Sequence, residues 1–216
     1  RRINWWFRTI KGCIVKHRDA KASLFYLREI TVGLIYGIGD TGGVPTKINT
    51  KHFKYYKVWF KMLRRCYGYD SFHKEHYSEC SVSEAFKSLP KFKAWCESQR
   101  GYDEDGWELD KDILVKGNKV YSPETCCFVP KEINNSFKTY SKRKVELPQG
   151  VYLAKNGRSF YSKCSVGGKH LSSHWVSTVE EAELLYVKLK QKTVKILADK
   201  YKLQLDTRVY NSLVSG

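Results

Sequence analysis

The 216-residue sequence has too few acidic residues to balance its basic ones. It contains 22 Asp and Glu against 39 Lys and Arg, which leaves a formal net charge of +17 at pH 7. A surplus of this size speeds encounter with polyanions and supplies phosphate contacts that weaken with salt. We therefore expect an anionic partner, with an ordinary solvated basic surface as the alternative.

Long hydrophobic runs are also missing. No stretch approaches the roughly 18 apolar residues of a membrane-spanning helix, and the first residues, RRINWWFRTI, lack the apolar region of a secretory signal. The sequence therefore predicts no membrane partner and a cytoplasmic location. The seven Cys are then expected to be thiols rather than a disulfide framework.

The remaining pattern predicts an α+β chain with three regions. Residues 1–50 form a basic and aromatic segment, residues 51–147 a mixed module, and residues 148–216 a small domain. A basic linker ends at Pro148, where the composition changes. Turn-forming pairs after this boundary predict three short strands, followed by one long helix.

Residues 53–67 predict an amphipathic helix with one aromatic and one basic face. No acidic residue occurs between Lys51 and Tyr69. The inward positions, at three- and four-residue spacing, are Tyr56, Trp59, Phe60, Leu63, Cys66 and Tyr67. The basic positions are Lys54, Lys57, Lys61, Arg64 and Arg65. The basic face is either a phosphate-binding surface or an ordinary solvated face.

Two helix starts carry capping-box residues, Ser81 with Glu84 and Thr178 with Glu181. Pro90 predicts the first turn of a further helix. The long helix after Thr178 is expected to bury one apolar face, formed by Ala182, Leu185, Leu189, Ile196 and Leu197.

The most informative stretch is LDKDILVKGNKVYSPETCCFVP, residues 109–130. Together with its flanks it predicts a strand, a turn, a second strand and then a helix. This order, with D-K-D at 110–112, G-N at 117–118 and N-N at 134–135, resembles the HNH (ββα-metal) endonucleases of phage and homing type. The resemblance extends over roughly residues 35–140, and it implies a location in the host cytoplasm if a phage encodes the chain.

The resemblance implies a role for each matching residue. Asp110 falls on the family's first metal ligand, and Asn134 or Asn135 falls on the second. Lys111 falls on the histidine general base, and Thr125 on the asparagine that orients it. The implied reaction is phosphodiester hydrolysis of duplex DNA with Mg²⁺ or Mn²⁺, since these cations suit a sparse set of oxygen ligands.

Lys111 is a departure from the family pattern. A lysine beside Asp110 and Asp112 is held protonated, so it is a poor base and a better phosphate clamp. Three interpretations stay open. The chain is a nuclease that uses another base, a DNA-binding protein that has lost cleavage, or a module redirected to an acidic host protein.

Residues 148–216 resemble the APETALA-type DNA-binding domain, a three-stranded sheet with one helix. The matching residues are Gly150, Val151, Trp175, Thr178, Glu181, Ala182 and Tyr186. The resemblance implies a sheet that lies in the major groove. The basic residues expected to contact DNA here and in the linker are Lys142, Arg143, Lys144, Arg158, Lys163 and Lys169.

Cys66, His73, His76 and Cys80 are residues of the types that hold zinc. Their spacing is not that of a standard zinc finger, so structural zinc is not expected. The sequence does not specify the oligomeric state or the target site.

Overall fold

The computed structural model describes residues 6–10, 13–17, 34–43, 54–69, 76–137, 147–166 and 169–215. Helices alternate with small antiparallel sheets, so the predicted α+β class is confirmed. The chain forms two compact units, residues 1–93 and 94–216. Among the described residues, no helix combines the length and the apolar character needed to cross a membrane.

The first unit contains two short antiparallel hairpins and a long helix. The elements are β1 (Trp6–Ile10), β2 (Cys13–His17), β3 (Leu34–Ile35), β4 (Gly39–Asp40), α1 (Lys54–Tyr67), β5 (Ser81–Val82) and α2 (Glu84–Lys87). The hairpin of β3 and β4 lies against α1 because Gly39 has no side chain. A Cβ atom there would overlap Cδ1 of Leu63.

Helix α1 confirms the amphipathic prediction with a shifted inner face. Trp59 and Leu63 are fully buried as predicted, but Tyr55 and Met62 are buried too, whereas Phe60 is only partly buried. The Trp59 indole N–H donates to the carbonyl oxygen of Phe86 at 2.6 Å. This bond satisfies the one polar group of a fully buried side chain.

The predicted capping box at Ser81 and Glu84 is wrong. The residue before α2 is Ser83, which makes no side-chain capping bond, and Ser81 belongs to the extended strand β5. The next helix, α3 (Leu89–Ser98), has Pro90 in its first turn, as predicted.

The second unit contains a two-stranded sheet, a three-stranded sheet and three helices after α3. Its elements are β6 (Trp107–Asp110), β7 (Val120–Tyr121), β8 (Cys127–Pro130), α4 (Lys131–Ser136), β9 (Val151–Leu153), β10 (Phe160–Val166), β11 (Lys169–Ser172), α5 (Val179–Lys200) and α6 (Thr207–Ser215). Strand β6 pairs antiparallel with β8, and α4 follows directly.

The three predicted strands after Pro148 are confirmed as an antiparallel sheet in the order β11–β10–β9. Helix α5 packs across β10, where the fully buried Ser162 hydroxyl donates to the carbonyl oxygen of Ala182. The capping box of Thr178 and Glu181 is present at the start of α5. The predicted turn at Gly167 and Gly168 lies outside the described residues.

One hydrophobic core spans the predicted boundary near residue 147. It contains Cys127, Val129, Ile133, Val194, Leu197, Ala198, Leu205, Val209 and Leu213. The compact units therefore divide elsewhere than at the predicted module boundary. Helix α6, which no sequence pattern predicted, supplies Val209 and Leu213 to this core. Ile196 was expected to face inward, but 41% of it is exposed.

Candidate functional site

The candidate site lies on the unit formed by β6, β8 and α4. Asp110 is the last residue of β6 and pairs with Cys127 of β8. Its Oδ1 atom accepts backbone N–H bonds from Asp112 at 2.7 Å and from Ile113 at 2.8 Å. These two bonds turn the chain out of the strand and fix the orientation of the carboxylate.

Burial raises the pKa of Asp110 above its usual value. The two backbone N–H bonds oppose this shift, the charge of Asp112 adds to it, and the ammonium of Lys111 is the weakest contributor. Among the described residues, Asp110 forms no salt bridge. A partly buried carboxylate without a cationic partner is electrostatically suited to bind a cation.

Lys111 points into the loop that follows β6. Only 7% of the residue is exposed, and its ammonium donates to Asp112 Oδ1 and, at 3.0 Å, to the carbonyl oxygen of Asn118. It also lies 5.8 Å from the centre of the Tyr121 ring. A phosphate clamp needs an exposed ammonium, so the structure gives Lys111 a different role: it holds the loop closed.

Asn118 closes the same loop from the other side. Its side-chain amide donates to the carbonyl oxygens of Lys111 at 2.8 Å and Val120 at 2.7 Å. The predicted turn at Gly117 and Asn118 is thus a structural device, in which Gly117 adopts a positive φ of 76°. Lys111 and Asn118 bind each other's backbone and keep the ends of the loop together.

Thr125 stabilises the connection into β8. Its hydroxyl donates to the carbonyl oxygen of Val120 at 2.8 Å and lies 3.1 Å from the Ser122 hydroxyl. In the described part of the chain it makes no hydrogen bond with Lys111. By sequence, Thr125 falls where the family orients its base, and here it organises the turn before the second strand.

Glu108 is a site residue that the sequence-based prediction missed. Its Oε2 atom accepts a hydrogen bond from the side-chain amide of Asn134 on α4. Alternate residues of a strand point to one face, so Glu108 shares its face of β6 with Asp110. The available signal was this spacing of two carboxylates, E-L-D, at the end of a predicted strand.

The structure also distinguishes the two candidate asparagines. Asn134 reaches β6 through Glu108. Asn135 is the next residue of the helix and points about 100° away around the axis. Asn134 is therefore the asparagine whose bond to Glu108 connects α4 with β6.

Three oxygen atoms of these residues are candidates to bind a hard divalent cation. Asp110 Oδ2, Glu108 Oε1 and Asn134 Oδ1 accept no hydrogen bond within the part of the chain that the structure describes. Carboxylate and amide oxygens are the ligands that Mg²⁺ uses in proteins. Over the described ranges, no group of three or more His, Cys, Asp and Glu side chains is placed to hold a metal. Asparagine is not one of these four residue types, so a site formed by Asp110, Glu108 and Asn134 contains only two of them.

The second metal candidate falls partly outside the described residues. His73 lies there, while Cys66 belongs to α1 and Cys80 is buried. The structure therefore supplies no complete set of ligands for zinc at Cys66, His73, His76 and Cys80.

The basic face of α1 is a regular stripe in the first unit. Lys57, Lys61 and Arg64 are exposed, and Lys54 and Arg65 are partly buried. At 1.5 Å per residue, the exposed three are spaced about 6 and 4.5 Å along the axis. The Arg65 guanidinium lies 5.8 Å from the centre of the Tyr77 ring, so it is already engaged within the unit.

A second basic surface is the outward face of the three-stranded sheet. Tyr161 and Lys163 alternate with the buried Ser162 and therefore point away from α5. The ring of Tyr161 stacks with that of Tyr152, with centroids 5.6 Å apart and planes at 26°. Arg158 is exposed in the hairpin between β9 and β10.

Four further predicted DNA contacts have no described side chain. Residues 142–144 of the basic linker lie outside the described residues, and the side chain of Lys169 is likewise not described, although its backbone belongs to β11. Trp175, a residue of the APETALA resemblance, follows β11 and is 59% exposed.

Comparison with known proteins finds no matching family model, no matching curated protein and no matching solved structure. The function of the chain must therefore be inferred from its own residues and their geometry.

Proposed function

We propose that this chain is a metal-dependent DNA endonuclease of HNH-like, phage homing type that acts in the host cytoplasm. The observation that carries the proposal is the Asp110 carboxylate. It ends the first strand of a strand–loop–strand–helix unit, its orientation is fixed by two backbone N–H bonds, and it has no salt bridge among the described residues. Such a group stays partly buried at an energetic cost unless a cation binds it.

The residues that would hold the metal are Asp110 and Asn134, and Glu108 would orient Asn134. Mg²⁺ or Mn²⁺ bound there would polarise the scissile phosphate and stabilise the charge on the leaving oxygen. By accepting the amide hydrogen of Asn134, Glu108 turns the carbonyl oxygen of that side chain away from itself.

Lys111 acts in this proposal as a positioning residue. Its ammonium fastens the loop after β6 to Asn118, and the same loop supplies the N–H groups that orient Asp110. A buried, hydrogen-bonded ammonium is a poor proton acceptor. The attacking water would therefore lose its proton to solvent.

The two basic surfaces would bind the DNA. The α1 stripe of Lys57, Lys61 and Arg64 offers charges at a spacing suited to successive phosphates. The outward sheet face offers Arg158 and Lys163 beside a pair of stacked tyrosines. Contacts of this kind position a duplex without specifying its sequence.

A second candidate function is DNA binding without cleavage. The observation that favours it is the commitment of Lys111 to the loop, which leaves the position of the family's base without a proton acceptor. Binding to an acidic host protein is the third candidate, and it has only the charge of +17 in its favour.

Cleavage of supercoiled plasmid with and without Mg²⁺ tests the proposal. We expect nicked or linear product that requires Mg²⁺ or Mn²⁺ and disappears with chelator. DNA binding that is steeply salt-dependent but unaccompanied by cleavage at any divalent cation would favour the second candidate. Polyanion contacts are strong at about 50 mM salt. If the chain does not bind DNA there, binding to an acidic host protein is the candidate that remains.

A further inference from the structure

A cavity of about 200 Å³ lies in the second unit, and none of its lining residues belongs to the candidate site. Its walls come from α5, from α6 and from Lys116 in the loop after β6. The apolar part of the wall is formed by Val187, Val194 and Leu213. An apolar cavity of about 150 Å³ accommodates one six-membered aromatic ring. This space is larger and open to solvent on one side, so it can hold a flat ring system whose substituents extend toward the opening.

Lys190 gives the cavity a cationic wall. Its ammonium donates to the carbonyl oxygen of Ser136, the last residue of α4. An ammonium has three N–H donors, and this is its one hydrogen bond among the described residues. Burial lowers the pKa of Lys190, and Cys164 opposes that shift.

Lys116 supplies a second ammonium to the same wall, and no acidic side chain lines the cavity. Two cations without an anion among the lining residues favour a ligand that carries negative charge. The apolar wall favours a ligand with an uncharged body. The two requirements together describe an organic anion rather than an inorganic ion.

Tyr186 adds a flat surface whose position is fixed. Its ring lies so close to Gly150 that a Cβ atom at that glycine would overlap the ring. The tyrosine is thus held by the backbone at the start of β9 while it lines the cavity. A fixed aromatic wall suits a planar ring, because flat rings such as nucleic-acid bases stack on aromatic side chains.

We propose that this cavity binds a nucleotide, with the base against Tyr186 and the apolar wall and the phosphate between Lys190 and Lys116. The nucleotide is either a free nucleoside monophosphate or an unpaired nucleotide of a DNA strand, since both present the same ring and phosphate. The inference does not depend on cleavage at Asp110, and a chain without nuclease activity would bind the ligand equally.

Calorimetric titration of the full chain tests the proposal with four probes: dAMP, deoxyadenosine, inorganic phosphate and a 5′-phosphorylated single-stranded oligonucleotide. We expect dAMP to bind at least about tenfold more tightly than the nucleoside or phosphate alone, because only dAMP uses both walls. Tighter binding of the oligonucleotide than of dAMP, with dAMP competing for it, would identify the strand as the source. Equal or weaker binding would identify the free nucleotide.

Three variants connect the binding to this cavity. Lys190→Met should weaken dAMP binding by about tenfold, the loss of one charge-assisted contact. Because it also removes the bond to Ser136, two variants that leave that bond intact accompany it. Lys116→Met should weaken binding by about threefold, and Val187→Trp should block the cavity from its half-exposed rim. Lys192→Met is the matched control, since it removes the same charge from an exposed position of α5.

Three results would each overturn the proposal. The first is that neither dAMP nor the oligonucleotide binds at millimolar concentration. The second is that dAMP binds no more tightly than inorganic phosphate, as expected for general attraction to a chain of charge +17. The third is that Lys192→Met weakens binding as much as Lys116→Met, while Val187→Trp leaves it unchanged.

Discussion

The candidate site and the outward sheet face, both in the second unit, have opposite chemistry. The site is partly buried and presents oxygen atoms of Glu108, Asp110 and Asn134, whereas the sheet face is open and presents Arg158, Lys163 and two stacked tyrosines. The carboxylates of the site repel phosphates, whereas the cations of the sheet face attract them. In the proposed function, cleavage and binding are therefore performed by separate groups, so single substitutions should separate the two activities.

The two regions nevertheless share one core. Val129 and Ile133, from the strand and helix of the site, pack with Leu197 of α5, which also covers the sheet. Lys200 of α5 bonds the Glu132 carboxylate of α4 at 2.6 Å. We therefore expect single substitutions to change one region without the other, whereas cutting the chain between them should disrupt both.

The largest expected effect comes from cutting the chain at residue 147. A fragment of residues 148–216 would expose Val194, Leu197, Leu205 and Leu213, which are buried in the whole chain. Exposed apolar surface of that extent removes the main favourable contribution to folding. We expect this fragment to show no cooperative thermal transition by circular dichroism.

The matched control is the longer fragment of residues 94–216, which keeps the core complete. We expect it to unfold cooperatively. A fragment of residues 148–216 that unfolds as cooperatively as the longer one would show that the sheet and its helix are independent of the site.

The next effect is the loss of metal binding in Asp110→Asn. Asparagine keeps an oxygen that accepts the two backbone N–H bonds, so the loop is retained while the charge is removed. We expect Mn²⁺ affinity, measured by calorimetry, to fall by more than about a hundredfold, beyond the 10–100-fold typical of groups around a metal site. Glu124→Gln, at an exposed position before β8, should leave affinity unchanged.

The pH dependence of metal binding follows from the raised pKa of Asp110. A proton and a cation compete for the same carboxylate, so raising the pKa moves this competition to higher pH. Mn²⁺ affinity of the wild type should therefore begin to fall, on acidification, at a pH above the range in which an exposed Asp titrates. If Mn²⁺ affinity falls only in the pH range in which an exposed Asp titrates, the result would contradict the raised pKa of Asp110.

Lys111→Met should destabilise the chain without changing the charges at the metal ligands. It leaves the carbonyl oxygen of Asn118 without its donor, and a buried group that loses its partner costs about 1–3 kcal/mol. Urea unfolding would measure this, with the exposed Lys131→Met as the control.

Lys111→His separates the loop role from a base role. The side chain at this position points into the loop, so we expect the histidine to lower cleavage as well as stability. Cleavage above the wild-type rate near neutral pH would show instead that this position can serve the reacting water.

Local features of the fold were predictable because they depend on neighbouring residues. The capping box of Thr178 and Glu181 follows from spacing alone, and it is present. The similar pair Ser81 and Glu84 failed because Ser81 is held in a strand, which the spacing does not reveal. Helix α6 and its packing against Cys127 were missed because these residues lie more than 70 positions apart in the chain, beyond any local periodicity.

For the candidate site, the sequence named residues but not the directions of their side chains. Asp110 and either Asn134 or Asn135 were named as metal ligands, which stays a prediction, and the strand and helix that carry them are in contact. The direction of Lys111 depends on Asn118 and Tyr121, which the loop brings back to it. The role of Glu108 depends on a helix that begins more than 20 residues later.

The smallest expected effect is on the sheet face. The double variant Arg158→Ala, Lys163→Ala should weaken binding to duplex DNA by about threefold to tenfold. It should also lower the salt slope by about 1 for each phosphate that is no longer neutralised. The rate of cleavage at saturating DNA should not change. Lys188→Ala, Lys192→Ala removes the same charge from exposed positions of α5. If this control variant weakened duplex DNA binding equally, the cause would be net charge rather than the sheet face.

The central claim is that Asp110 holds the metal of a nuclease whose DNA-binding groups lie elsewhere. The most direct test follows plasmid cleavage and duplex binding in the same Mg²⁺-containing samples of wild type, Asp110→Asn and Glu124→Gln. We expect Asp110→Asn to bind DNA as tightly as wild type, or more tightly, and to cleave it at least about a hundredfold more slowly. Cleavage by Asp110→Asn at the wild-type rate would show that Asp110 does not hold the metal.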